Sequence, residues 1–273
     1  MKKTEVSELV TNGINQLSEA LQAGKSATLV EYLNVMARFH SYSFNNILLI
    51  TLQKPDATRV AGFQSWKSMK RMVRKGEKGI GIIAPMIGKK KDEAETGEGT
   101  KTLFGFKVVH VFDISQTDGE ELPQFAQSNG EPGQYHEKLE SLVRDRGIDL
   151  IYVAPGGGAD GVSKHGEIHI RPDLPSCEKF SVLAHEFAHE ILHHGNRRNE
   201  TTKTIRETEA EAVAYVVCQA IGIETTTRSS DYIQLYCGND DTLVESLDYI
   251  QKTASMILDG IMQHQPQEAE TVS

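Results

Sequence analysis

The segment AHEFAHEILHH, residues 184–194, constrains the fold more than any other part of the chain. It places His185 and His189 four positions apart, with Glu186 next to the first, in a run otherwise made of Ala, Phe, Ile and Leu. On an α-helix, side chains four positions apart project from the same face, so two imidazoles can reach one ion. The pattern H-E-x-x-H therefore predicts a helix that binds zinc, with Glu186 as the general base for a zinc-bound water. Two histidines with a purely structural role are the alternative.

Glutamates in the next apolar segment, TIRETEAEAVAYVV, complete a gluzincin-like site. Carboxylates on a buried helix are costly unless they bind a cation or are paired. Glu207 and Glu211 share a helix face, so we expect Glu207 to be the third metal ligand and Glu211 to steady a ligand imidazole. Glu209 points roughly the opposite way, but Glu209 or Glu211 as the ligand stays open. His193 is either a donor to a substrate oxyanion or a supporting or surface residue.

Basic residues concentrate in the first half of the chain. The net charge is −9, yet residues 1–112 hold 17 Lys and Arg against 10 Asp and Glu, which leaves −16 on the rest. Residues 54–91 alone contain 11 basic residues and two acidic ones. Such a concentration is typical of a surface that approaches a polyanion, so the two halves are expected to meet different partners.

A short helix from Trp66 to Met72 and the turn RKGEKG would present these charges beside an aromatic ring. Proteins that bind single strands combine a positive track for phosphates with aromatic faces for bases. The sequence therefore predicts a single-stranded-DNA surface made of Trp66, Lys67, Lys70, Arg71, Arg74, Lys75 and Lys78. The alternative is a solvated charged face with Trp66 in the core.

Hydrophobic periodicity predicts an α+β fold in two domains. Residues 1–115 form a small helical domain with a β-hairpin around a solvated loop at 88–101, and residues 116–134, rich in Gly, Glu, Gln, Pro and Ser, form a linker. Residues 135–273 form a zincin-like metallopeptidase domain with a small antiparallel or mixed sheet and C-terminal helices. In that domain we expect the strand EIHI, at 167–170, to lie at the sheet edge before the H-E-x-x-H helix.

The chain shows no long apolar run and no secretory signal, so we expect a cytoplasmic protein without a membrane partner. Its three cysteines, Cys177, Cys218 and Cys237, are far apart and form no C-x-x-C pair. This spacing predicts reduced, mostly buried thiols and argues against a disulfide framework.

Three parts of the chain carry a family resemblance. The segment EIHIRPDLPSCEKFSVLAHEFAHEILHH, with RETEAEAVAYVV, resembles the zinc metallopeptidase fold of the ImmA/IrrE group and of the ArdC antirestriction proteins. YSFNNILLITLQKPDATRVAGFQSW and VRKGEKGIGIIAP resemble the single-stranded-DNA-binding domain of ArdC, and residues 230–261 are similar to its C-terminal helices. Glu209 departs from the pattern, because ArdC proteins tend to keep an apolar residue there.

The resemblance implies an antirestriction protein of a mobile element, which coats incoming single-stranded DNA and carries a zinc-dependent metallopeptidase domain. In these families a substrate-binding strand precedes the H-E-x-x-H helix, and a glutamate on the next helix completes the site. One alternative is a regulatory ImmA/IrrE-type metalloprotease that cleaves a repressor or a host restriction protein. The other is a DNA-binding protein in which zinc is structural and no peptide is cut.

Overall fold

The computed structural model describes residues 3–24, 26–88, 102–122, 130–224 and 240–262. These residues divide into two compact units. The first contains 3–13 and 45–122, and the second contains 14–44 together with the described residues from 130 onward. Residues 14–44, which the sequence groups with the N-terminal domain, therefore pack within the second unit.

Helices and strands both occur, largely in separate runs along the chain, as the predicted α+β fold requires. In the described ranges, the helices are α1 (Lys3–Gln22), α2 (Ser26–Arg38), α3 (Phe44–Gln53), α4 (Phe63–Ser68), α5 (Gln134–Asp145), α6 (Ser176–Leu192), α7 (Asn196–Glu200), α8 (Lys203–Ala220) and α9 (Asp240–Met262). The strands are β1 (Val60–Gly62), β2 (Arg71–Val73), β3 (Ile80–Gly88), β4 (Thr102–Asp113), β5 (Thr117–Gly119), β6 (Asp149–Tyr152), β7 (Gly161–Ser163) and β8 (Glu167–Ile170).

The first unit is built on the predicted hairpin. β3 and β4 pair antiparallel, β1 joins the other edge of β4, and β2 pairs with β5 in a separate two-stranded sheet. The loop expected at 88–101 lies, from residue 89 onward, outside the described residues. One expectation is corrected: α4 ends at Ser68 and not at Met72, because Arg71–Val73 pairs with Thr117–Gly119 as a strand. A 3-10 turn (Ile114–Gln116) precedes β5, so residues 116–119 of the expected linker have regular structure.

Two amide side chains of α3 cap the free edge of β3. Asn46 donates from Nδ2 to the carbonyl of Ile83 at 2.8 Å and accepts the Ile83 N–H at Oδ1, also at 2.8 Å. Gln53 forms the same pair of bonds with Gly81, each at 2.9 Å. Further along, Pro85 has no N–H to offer. Each amide thus forms the two backbone hydrogen bonds that a residue of a neighbouring strand would form. An edge strand without such bonds is free to pair with another chain.

The second unit contains a small mixed sheet, as expected. β8 lies in its centre, with β6 parallel on one side and β7 antiparallel on the other. The expectation that EIHI forms the edge is therefore wrong. Ile168 and Ile170 of this strand are fully buried, and the edge strand that contacts α6 is β7, which lies in a segment that reads as a glycine-rich turn.

Helices form the core of the second unit. α6, α8 and α9 pack together, and α2 packs against α8. α8 is buried on most sides, as its apolar sequence predicts. The Tyr215 hydroxyl donates to Asn34 Oδ1 at 2.7 Å, and Gln251 Nε2 donates to the His40 carbonyl at 2.9 Å. These bonds join α8 to α2, and α9 to the segment that follows α2.

The cysteines behave as thiols in the described part of the chain. Cys218 is fully buried, which raises its pKa to about 12, and Cys177 is partly exposed. Cys237 lies outside the described residues. Among the helices that the structure describes, none combines the length and the apolar character needed to cross a bilayer.

We expect Asn46→Ala to lower the free energy of unfolding by about 1–3 kcal/mol, because it leaves the N–H and carbonyl of Ile83 without partners. Denaturant titration measures this loss, and faster hydrogen exchange of the Ile83 amide localises it. The matched control is Asn45→Ala, since Asn45 is the exposed neighbour on the same helix. Equal stability of the two variants would contradict the capping role.

Candidate metal centre

Three ligand-type atoms meet between α6 and α8. Nε2 of His185 lies 3.1 Å from Nε2 of His189, and Oε2 of Glu207 lies 3.6 Å and 3.5 Å from these two nitrogens. A tetrahedral ion with bonds of about 2.0–2.1 Å holds its ligand atoms about 3.3 Å apart. Among the described residues, this trio is the group of His, Cys, Asp or Glu side chains that comes close enough to hold a metal ion.

Local sequence explains why these atoms converge. His185 and His189 project from one face of α6 because they are four residues apart. α8 begins after Thr202, whose hydroxyl accepts the N–H of Ile205 at 3.2 Å. This cap fixes the start of the helix, so Glu207 lies about one turn inside it and faces the two imidazoles. The side chain of Glu207 is 52% exposed, so the centre is open to solvent on that side.

The carboxylates make this centre favourable for positive charge. The adjoining imidazoles of His185 and His189 lower the pKa of Glu207 well below its usual range. Burial alone would lower the pKa of His185, but hydrogen bonds to Glu207 and Glu211 raise it to about 9. The same negative environment favours a divalent cation, which competes with the proton for the imidazole nitrogen.

The other two glutamates of α8 contact different histidines. Oε2 of Glu211 lies 3.4 Å from Nδ1 of His185, on the side of the ring away from Glu207. Glu209 is fully buried, with Oε2 3.0 Å from Nε2 of His193 and Oε1 2.5 Å from a guanidinium nitrogen of Arg197. The structure therefore brings Glu207 to the paired imidazoles and turns Glu209 away from them. Burial of His193, at 1% exposure, also removes the expected option of a bond from His193 to a substrate.

Glu186 lies between the paired histidines and β7. Burial raises the pKa of its carboxyl, and the nearby His185 and His189 only partly offset that rise. The backbone of Ser163 is hydrogen-bonded to it. Gly161 gives it room, because a Cβ at that position would lie 2.9 Å from Cγ and Oε1 of Glu186. A carboxyl with a raised pKa is suited to exchange protons near neutral pH.

Sequence reasoning missed the contribution of β7. The available signal was Gly161 next to the β-branched Val162, because a glycine in a strand often marks the close approach of another group. Glu190 holds the turn after this strand: it accepts the N–H groups of His165 and Gly166 at 3.0 Å and 2.9 Å and bonds to the Ser163 hydroxyl. His194 contacts the same carboxylate through Nε2 at 3.0 Å.

Some residues of the expected DNA surface have structural roles in the first unit. Trp66 is fully buried and donates Nε1–H to the carbonyl of Phe112 at 2.8 Å, so its ring cannot stack on a base. Arg71 donates to Oγ1 and the carbonyl of Thr117 at 2.8 Å and 3.0 Å, and to the carbonyl of Gly119. The structure agrees with the alternative interpretation, in which Trp66 lies in the core.

The remaining cations differ in their partners. Lys70 pairs with Glu120 at 3.2 Å, and Arg74 pairs with Glu77 at 2.8 Å and approaches Asp118 at 3.6 Å. Such exposed pairs contribute little stability, but they reduce the net positive charge of the surface. Three further lysines are exposed and have no ion-pair partner in the described ranges: Lys67, Lys75 and Lys78.

Family profiles match both parts of the chain. Residues 3–112 match the N-terminal domain of anti-restriction factor ArdC, and residues 144–218 match the IrrE N-terminal-like domain. Two crystal structures of the antirestriction ArdC protein from the R388 plasmid share the fold: a metal-free structure at 20% identity and TM-score 0.55, and a Mn(II)-bound structure at 17% and 0.53. Each comparison covers 94% of this chain and 99% of the other. The chain has the fold and the domain order of ArdC.

A relative from Bacillus anthracis also aligns with this chain. The uncharacterized protein pXO2-81 is 26% identical over 95% of the chain, which spans about half, 51%, of the relative's own length. The IrrE-like match includes His185, Glu186, His189 and Glu207, whereas α9 lies beyond it.

Two exposed aromatic rings of the first unit were not found by sequence reasoning. Phe104 and Phe106 of β4 are 57% and 50% exposed. Alternation predicts which residues of a strand share a face, but it does not reveal how far a hairpin extends beyond the core that covers it. These rings are accessible to a partner, unlike Trp66.

We expect Glu207→Gln to weaken zinc binding by about 100-fold or more, because loss of a direct ligand costs more than the roughly 10–100-fold seen for outer partners. Competition with a chelator measures the dissociation constant. Glu200→Gln is the control, since Glu200 is exposed on α7. Wild-type affinity in Glu207→Gln would rule out Glu207 as a ligand and reopen the assignment to Glu211.

Proposed function

We propose that this protein is a single-stranded-DNA-binding antirestriction protein of a mobile element whose second unit is a zinc-dependent metallopeptidase. The observation that carries the peptidase assignment is the triangle of two imidazole nitrogens and one carboxylate oxygen, 3.1–3.6 Å apart, beside the buried Glu186. Two nitrogen ligands and one oxygen ligand that leave a further position open are typical of catalytic zinc sites.

In this proposal His185, His189 and Glu207 would hold the ion, which supplies a Lewis acid that activates water and stabilises negative charge on the peptide carbonyl. Glu186 accepts the proton from the attacking water and delivers it to the leaving amine. Its raised pKa suits it to both transfers, and its contact with β7 limits where the carboxyl can lie. The β7 strand, at the edge of its sheet, supplies backbone groups to which an extended peptide can add.

The choice of metal is part of the proposal. The R388 ArdC protein has a Mn(II)-bound structure, which supports a divalent cation in this fold. Imidazole and carboxylate ligands accept zinc as well as manganese, and zinc has the higher affinity for such sites. We therefore propose zinc and include Mn(II) in the binding measurements.

The DNA-binding part of the proposal uses the first unit, which matches the ArdC N-terminal domain over residues 3–112. The exposed lysines Lys67, Lys75 and Lys78 would neutralise phosphates, and Lys70 and Arg74 would add to the positive field. Phe104 and Phe106 replace Trp66 as the rings on which bases stack. Coating of incoming DNA would then hide it from restriction enzymes.

We expect Glu186→Gln to retain zinc affinity and to lower the rate of peptide hydrolysis by about 10²–10⁴-fold, because the amide cannot take a proton. The assay pairs a chelator-competition measurement with hydrolysis of a peptide library. Glu178→Gln, at an exposed position of the same helix, is the control. Full hydrolysis by Glu186→Gln would refute the role of general base.

The same variant separates coating from proteolysis. If it protects single-stranded DNA from a restriction nuclease as well as the wild type does, protection comes from coating. Loss of protection would favour the alternative, in which the peptidase destroys a host restriction protein or a repressor.

We expect Phe104→Ala and Phe106→Ala each to weaken binding of a fluorescent oligothymidine by about 1–3 kcal/mol, the usual contribution of one stacked base.

Replacement of Lys67, Lys75 and Lys78 by Gln should make binding of the same oligothymidine less dependent on salt, since each lost phosphate contact reduces the slope of log K against log salt by about 0.7. Lys203→Gln, exposed on α8, is the control. Salt-independent binding by the wild type would contradict the proposed surface.

A further inference from the structure

A chain of polar contacts leads from His189 into the interior of the second unit. Nδ1 of His189 lies 2.8 Å from Nδ1 of His193, and Nε2 of His193 lies 3.0 Å from Oε2 of Glu209. Oε1 of Glu209 lies 2.5 Å from Arg197, whose second terminal nitrogen lies 3.1 Å from Oε1 of Glu245. The guanidinium of Arg197 also stacks 3.6 Å from the ring centre of Tyr249.

Hydrogen-bond chemistry gives this chain one direction. A carboxylate only accepts, so His193 must donate its Nε2–H to Glu209. A neutral His193 then has a bare Nδ1, which can only accept, and the donor that reaches it is Nδ1–H of His189. Nε2 of His189 is thereby left without a proton, and this is the nitrogen that faces His185 and Glu207.

We propose that His193, Glu209 and Arg197 form a positioning relay that fixes the tautomer and the orientation of His189 for metal binding. This inference rests on the proposed metal centre. Glu211 contacts Nδ1 of His185 directly, whereas Glu209 acts on His189 through His193. Each ligand imidazole therefore has its own hydrogen-bond acceptor at Nδ1. The three alternating glutamates of α8 thus have three tasks: Glu207 binds the ion, Glu211 orients His185, and Glu209 orients His189 through His193.

The relay also explains an ion pair that packing alone would not favour. Glu209 is 0% exposed and the Arg197 side chain 11%, and a buried pair of this kind is often no more stable than well-packed apolar residues. Its remaining anchors, Glu245 and Tyr249, come from α9, outside the residues that match the IrrE-like domain. α9 therefore supports the proposed metal centre through its contacts with Arg197.

The test compares two altered proteins with a neighbouring control. His193→Phe removes the acceptor of His189, and the double variant Glu209→Leu with Arg197→Met removes the ion pair without leaving one charge buried alone. His194→Phe is the control, because His194 contacts Glu190 and not a ligand. Each full-length protein is titrated with Zn(II) and Mn(II) against a chelator, and its unfolding midpoint is measured in excess EDTA.

We expect the dissociation constant for Zn(II) to rise about 10- to 100-fold in both relay variants and to stay at the wild-type value in His194→Phe. Wild-type affinity in both relay variants, with their unfolding midpoints in EDTA preserved, would overturn the relay and leave the metal centre intact. Failure of the wild type itself to bind either metal would instead remove the proposed peptidase.

A second measurement does not depend on whether the variants fold. Long-range ¹H–¹⁵N spectra of the zinc-loaded wild type report which ring nitrogen carries the proton. We expect the proton of His189 on Nδ1 and that of His193 on Nε2. A proton on Nδ1 of His193 would overturn the relay, since it leaves His189 without an acceptor.

Discussion

The packing of α6 against α8 is the contact on which the rest of the second unit depends. It sets Glu207 against two imidazoles that the helical repeat has already placed side by side, at 3.5 and 3.6 Å. Buried acidic and imidazole groups are tolerated there because each has a partner of opposite character. The sheet contributes less bulk than the helices, but β7 closes the space around Glu186 and limits where its carboxylate can point.

α8 shows how one helix can combine an apolar core with dense charge. Ala210, Ala212 and Val213 are fully buried on the same helix that carries three glutamates. Those glutamates occur at every second position, so successive ones leave the helix in different directions. Two of them face the histidines of α6, and the third contacts His193, just after α6, and Arg197 of α7. A strongly acidic segment can therefore lie within the core of the unit.

The local parts of this fold could be predicted from sequence, and the non-local parts could not. The prediction of the α6 histidines and of Glu207 follows from spacing on single helices, and the structure brings these three side chains close together. The sequence did not explain why Glu209 stands where an apolar residue is usual, because its partners His193 and Arg197 lie in other segments of the chain. The burial of Trp66, the pairing of β2 with β5 and the central place of β8 likewise depend on strands distant in sequence. Propensity and periodicity carry no information about such partners.

The amide caps on β3 have a consequence for how copies of the protein behave when crowded. Under the proposed coating of single-stranded DNA, molecules lined up on one strand would meet at very high local concentration, where bare sheet edges tend to join and polymerise. Asn46 and Gln53 form hydrogen bonds with the β3 backbone groups through which a second copy would otherwise pair. The exposed phenylalanines of the adjoining strand can therefore remain accessible to a ligand without turning the hairpin into a seed for aggregation.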